Sequence, residues 1–105
     1  MVIPVNTKSE LIERIQQKQD EIQGYGVRRL GIFGSFVRDE ADPTSDIDLY
    51  VDFYTEKKSF DNFIELSFFL QNLLGRKVEI VTPQSLSKYI GPHILKEVEN
   101  VPFAA

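Results

Sequence analysis

The chain has 105 residues, room for one modest hydrophobic core, and a single domain is expected over residues 1–105. A formal net charge of −4 argues against a broad electrostatic grip on nucleic acid, and the lack of cysteine excludes disulfides, thiolate metal sites and a thiol nucleophile. No apolar run reaches transmembrane length, and the N-terminus is too poor in apolar residues for a signal peptide, so a cytoplasmic protein is the expectation.

Thr7-Lys-Ser-Glu10 has the spacing of a capping box, and Leu11, Ile12, Ile15 and Ile22 follow at near-helical intervals. The pattern predicts one helix over about residues 8 to 23, closed by Gly24 and Gly26. A strand follows at about 28 to 33 and breaks at Gly34-Ser35, after which a short helical segment is expected. Backbone N–H groups at such a turn, with a serine hydroxyl, can cradle a phosphate. Asp42-Pro43 marks a turn into a second strand at about 46 to 53.

That second strand carries the main chemical signal. Ten residues separate Gly34-Ser35 from Asp46-Ile47-Asp48. Side chains two apart on a strand share a face, so Asp46 and Asp48 can grip one hard divalent cation or bridge two. Ile47, Leu49 and Val51 fall on the other face and read as core. Residues 39 to 52 hold five aspartates and one glutamate with no lysine or arginine, a repulsion that a bound metal would relieve. An EF-hand does not fit these acids, because the loop's sixth position lacks glycine and no glutamate closes it. Asp52 shares the face of Asp46 and Asp48 but stands at the far end of the strand and reads as a surface charge.

Residues 59 to 74 are apolar at helical spacing and end at Gly75. This helix carries Phe60, Phe63, Ile64, Leu66, Phe68, Phe69, Leu70, Leu73 and Leu74, a wider apolar face than one core-facing stripe requires. The excess points to a protein interface, with a second copy of the chain as one occupant to consider. Lys77 to Thr82 reads as a third strand stopped by Pro83, and the remainder as a helical tail interrupted at Gly91-Pro92. His93, the one histidine, has no nucleophile beside it and reads as structural. The fold class is α/β (α+β): a small mixed sheet of three to four strands with helices packed against it.

Gly34-Ser35, Asp46-x-Asp48 and the acidic Glu79 on the next strand together resemble the signature of the DNA polymerase beta-like nucleotidyltransferases. The chain length, the leading amphipathic helix and the Val78-Glu-Ile-Val-Thr-Pro83 strand are similar to the smallest branch, the minimal nucleotidyltransferases. The resemblance spans roughly residues 8 to 100 and implies a polymerase beta palm-like fold. It implies that Gly34, Ser35 and Arg38 hold the nucleotide's phosphates. It implies further that Asp46, Asp48 and Glu79 converge on one pocket and bind two Mg2+ ions, with ATP as substrate. The chemistry implied is attack by a hydroxyl on the α-phosphate, with pyrophosphate leaving.

The resemblance also implies a partner, a small helical HEPN-domain ribonuclease toxin that receives AMP on a tyrosine from its antitoxin. The chain departs from the family pattern twice. Asp39 stands where the turn after Gly-Ser usually has glycine, and Glu79 replaces the usual aspartate, adding one methylene of reach. These departures frame an alternative, an antitoxin with weak or no catalysis that silences its partner by covering it. Transfer to a small molecule or nucleic acid is a weaker third reading, since the chain lacks an added acceptor domain and carries the wrong charge.

Overall fold

The computed structural model describes residues 3–54, 56, 59–85 and 91–103. Helix α1 spans Lys8–Gln17, with the Thr7 hydroxyl accepting from the Glu10 backbone N–H at 3.1 Å, as the capping spacing predicts. The expected single helix is two: the backbone leaves helical geometry at Lys18 (φ −118°, ψ 23°), and α2 runs Gln19–Gly24. The Lys18 N–H turns to the Ile15 carbonyl at 3.1 Å, a tightened last turn that ends α1. Ile15 and Ile22, on either side of the break, are both fully buried.

Strands β1 (Val27–Phe33) and β2 (Ile47–Phe53) pair antiparallel. Helix α3 covers Phe60–Leu74, as the spacing predicts. Its Ser59 cap accepts from Asn62 N–H, and Gly75 follows it in the left-handed conformation at φ 70°. Strand β3 (Val78–Val81) lies parallel to β2, so α3 is the crossover that a parallel pair requires. A short 3-10 turn at Pro83–Ser85 precedes α4 (Gly91–Glu97) and a two-residue strand, β4 (Glu99–Asn100). The helical tail expected to be interrupted at Gly91-Pro92 is described from Gly91 onward, and residues 86–90, on which the rest of that expectation falls, lie outside the described residues. The sheet order is β3-β2-β1-β4, mixed and open at β3 and β4.

Alternation decides which face of the sheet is core. Ile47, Leu49, Val51 and Phe53 of β2 are buried, as are Leu30 and Ile32 of β1. They pack with Leu66, Leu70 and Leu74 of α3 and with Leu11, Ile15 and Ile22 in one continuous cluster. Each such leucine contributes roughly 1.5–3 kcal/mol by leaving water. The first three helices therefore share one face of the sheet. The other face carries Asp48, Tyr50 and Asp52 from β2 and is approached by the chain after α4. There Val98 sits so close over Gly31 that a Cβ on that glycine would collide with it.

Among the α3 aromatics, Phe63 and Phe69 pack partly against the core, whereas Phe60 and Phe68 are 77% and 61% exposed. The described helices include none long and apolar enough to cross a membrane.

Candidate active site

Strand register brings the acids together. Asp48 of β2 pairs with Glu79 of β3, so their side chains leave the same face of adjacent strands. Asp46 immediately precedes β2, where the Ile47 N–H bonds to the Lys77 carbonyl at 3.0 Å. Its carboxylate lies 4.0 Å from the Lys77 ammonium. On the other side of Asp48, its register partner is Phe33, the last residue of β1 before the turn.

Gly34 holds that turn at φ +78°, and a Cβ there would collide with the Asp48 Oδ2. Only glycine fits both demands, the left-handed backbone and the close approach of a carboxylate. Residues 34–39 form successive turns rather than the expected helical segment, with Glu40 N–H donating to the Ser35 carbonyl at 2.8 Å. Asp39 adopts φ +56°, a conformation that favours glycine, the residue the resemblance leads one to expect here. The turn is thus kept in its left-handed form with aspartate in the glycine's place.

The charge around Asp48 is unbalanced. Burial, then Glu79, Asp46 and Glu97, push its carboxyl from 3.8 up to about 6, against a smaller downward pull from Arg38. Glu97, at the end of α4, did not stand out in the sequence because it belongs to no strand pattern. In the fold it ion-pairs with Arg38 and accepts from the Gly34 N–H at 3.3 Å. Arg38 also approaches Glu40 at 3.5 Å.

A second residue that sequence reasoning missed is Arg76. Its guanidinium donates to the carbonyls of Val5 (2.6 Å), Asp42 (2.9 Å) and Ser45 (2.8 Å) and to the Asn6 side chain (3.1 Å). It also stacks over the Phe36 ring at 5.2 Å. Arg76 therefore clamps the segment leading into Asp46 to the turn that follows Gly34.

Asp52, by contrast, is held by Arg28 and Arg29 at the far end of the strand. An apolar cavity of about 390 Å³, lined by Phe53, Ser59, Phe60, Phe63 and Thr82, also lies toward that end, away from the acids.

Among the described residues no three acids or imidazoles enclose a ready-made metal cage. The donor set still fits magnesium: it is all oxygen, and the surplus negative charge that burdens Asp48 is what a hard cation relieves. Magnesium takes few carboxylates and fills its remaining positions with water and substrate phosphate, so a preformed cage is not required.

Residues 8–101 match the family model described as a nucleotidyltransferase domain. A protein adenylyltransferase, MntA, of Thermococcus cleftensis is 44% identical over 84 residues, covering 80% of this chain and 84% of its own. A solved structure provisionally described as a minimal nucleotidyltransferase superposes with TM-score 0.77 at 30% identity, covering 89% of this chain and 94% of that one. A structure of a tri-AMPylated Shewanella oneidensis HEPN toxin in complex with an MNT antitoxin gives TM-score 0.61 at 17% identity, covering 89% and 73%. At that identity the last likeness speaks for fold alone.

Proposed function

Because the chain belongs to the nucleotidyltransferase domain family, with protein adenylyltransferases among its relatives, we propose that it transfers AMP from ATP to a hydroxyl of a protein partner. The observation that carries this reading is the juxtaposition at Asp48. A glycine turn presses against its carboxylate, and Glu79 stands beside it in register. A turn that points its Gly34 N–H at an anionic group, next to clustered acids, is equipment for handling a phosphate together with a cation.

In this reading the N–H groups of Gly34 and Ser35, the Ser35 hydroxyl and the Arg38 guanidinium hold the triphosphate. Asp46, Asp48 and Glu79 would hold Mg2+, two ions in this reading. Metal held there would acidify the attacking hydroxyl and neutralise charge on the leaving oxygens. The acceptor oxygen bonds to the α-phosphorus, the bond to the β-phosphate oxygen breaks, and pyrophosphate departs. The acceptor's proton is released to solvent. Rigid strands keep Asp48 and Glu79 in place, so little reorganisation is needed on the side of the acids.

The partner of choice is a HEPN-domain toxin, the class paired with the antitoxin of similar fold. Phe60 and Phe68, two turns apart on α3, supply an apolar strip of the kind that docks a helical protein. That strip lies on the helical side of the sheet, opposite the acids. A docked partner therefore has to reach its acceptor residue round the open edge at β3.

The test is AMP transfer from labelled ATP to a co-purified HEPN-class protein, comparing the wild type with Asp46→Asn and Phe68→Glu. Asp46→Asn should still bind the partner but label it at least on the order of a hundredfold more slowly. Phe68→Glu should lose the complex while keeping a fold within about 0.5 kcal/mol of wild type. Equal labelling by wild type and Asp46→Asn would remove the metal-dependent reading. A complex that forms without any labelling would favour silencing by binding alone.

A further inference from the structure

Glu97 stands on two donors that a nucleotide phosphate would use. One of its oxygens takes the Gly34 N–H and the other pairs with the Arg38 guanidinium. Both are charge-assisted contacts of the kind a phosphate makes, from a group of the same sign. A backbone N–H satisfied by a carboxylate cannot donate a full bond to a phosphate oxygen as well, and two anions on one guanidinium repel.

Glu97 also occupies this place against the local field. Its charge adds to those of Glu79 and Asp46 in burdening Asp48, and Arg38 opposes them. A fourth acid in an acidic cleft is unfavourable unless something holds it, and here the phosphate donors hold it. The residue can also leave. It closes the seven-residue α4, beyond which Val98 rests on Gly31 and Glu99–Asn100 pair with β1. The stretch carrying Glu97 is bounded on its C-terminal side by an anchored strand and is exposed along Pro92, His93, Leu95 and Lys96.

We propose that Glu97 is an internal competitor for the nucleotide's phosphate. Its carboxylate fills the Gly34–Arg38 cradle when nucleotide is absent, and it must withdraw before a triphosphate can settle, so it sets nucleotide affinity. The proposal rests on the reading of the 34–38 turn as the phosphate site. Holding the cradle donors in a satisfied state keeps the turn ordered between cycles, and it lets the end of α4 report whether nucleotide is bound.

The competing physical account makes Glu97 a positioning group that aims Arg38 at the nucleotide and stays in contact with it. The two accounts predict opposite signs. Calorimetric titration of the full chain with inorganic triphosphate, without magnesium, and then with Mg-ATP separates them. Glu97→Gln and Glu97→Ala should bind inorganic triphosphate about tenfold more tightly than wild type, since a charge-assisted competitor has been removed. Glu97→Asp, which keeps the charge but draws it back, should lie between. Deuterium exchange on the wild type needs no substitution: amides of residues 91–97 should exchange faster when Mg-ATP is saturating.

Unchanged or weaker binding by the Glu97 variants, with Arg38→Ala still weakening Mg-ATP, overturns the competitor and leaves the phosphate reading intact. Slower exchange in α4 on adding Mg-ATP overturns it equally. Absence of triphosphate and Mg-ATP binding by wild type and every Glu97 variant removes the phosphate reading of the turn, and the proposal with it.

Discussion

The two halves of the candidate site are built by different means. On one side, Asp48 and Glu79 are set by a ladder of parallel strand pairs from Ile47–Val78 to Tyr50–Val81, with a fully buried residue on either side of Asp48. Slipping that register by one residue would turn the acids into the core and the core residues into water, so it is tightly specified. On the other side, the 34–39 turn has no ladder of its own. It is held by Glu97 from one direction and Arg76 from another, residues far along the chain. The half proposed to hold metal is rigid by construction, and the half proposed to hold phosphate is adjustable and depends on tertiary clamps.

Removing the acid at the centre of the rigid half should have the largest effect. Asp48→Asn should lower AMP transfer at least on the order of a hundredfold, because it takes away a proposed metal ligand where charge develops. The same change should stabilise the metal-free protein. An acid whose carboxyl is pushed from 3.8 to about 6 on folding binds more protons folded than unfolded. Metal-free stability should therefore fall as pH rises from about 4 to about 6 and stay low above that. With solvent screening of a half-exposed group allowed for, the penalty is on the order of 1 kcal/mol. Thermal melts in EDTA across this window should show the fall in wild type and a flatter profile in Asp48→Asn. Added magnesium should raise the wild-type midpoint more at neutral pH than at pH about 5, where it has to displace a proton from Asp48. A wild-type profile as flat as the variant's would show that the acids do not load one another.

Arg76 tests the adjustable half. Arg76→Ala removes donors to the carbonyls of Val5, Asp42 and Ser45 and the cover over Phe36. It should cost about 2–4 kcal/mol of stability, the range for breaking a partly buried charged hydrogen-bond cluster. Arg76→Lys should recover little, because one ammonium cannot match the planar fork that spans these carbonyls. Denaturant titration gives the stability. A loss below about 0.5 kcal/mol in either variant would mean that the turn is held by other contacts.

The same division explains what the sequence revealed. Period-two alternation from Ile47 to Phe53 showed both the core face and the acid face, and helical spacing closed by Gly75 located α3 to within one residue. These are local signals, written within a few positions. Glu97 and Arg76 lie in stretches with no unusual local pattern, and their roles arise from contacts across 63 and 31 residues. β4 escaped for a related reason: two polar residues, Glu99 and Asn100, carry no alternation, and only pairing with Gly31 and Ile32 makes them a strand. The break at Lys18 sits in a polar run that favours helix on either side.

The smallest expected effect falls where a family departure meets the observed backbone. Asp39 holds φ +56°, where an L-residue other than glycine is strained. Aspartate tolerates that conformation better than most, which explains how the turn survives the replacement. Asp39→Gly relieves the strain but gives the unfolded chain more freedom, and the two terms oppose each other. The left-handed penalty is roughly 1–2 kcal/mol and the glycine entropy term roughly 0.5–1, so the net should be a gain of about 0–1.5 kcal/mol, at the low end because aspartate tolerates the conformation. Asp39→Ala lacks both the short polar side chain and glycine's freedom and should be destabilising. The order Gly above Asp above Ala in denaturant midpoint is the expected result. Ala equal to Asp would show that the turn does not hold its left-handed residue in solution, and the Gly34–Arg38 cradle would then be looser than its geometry implies.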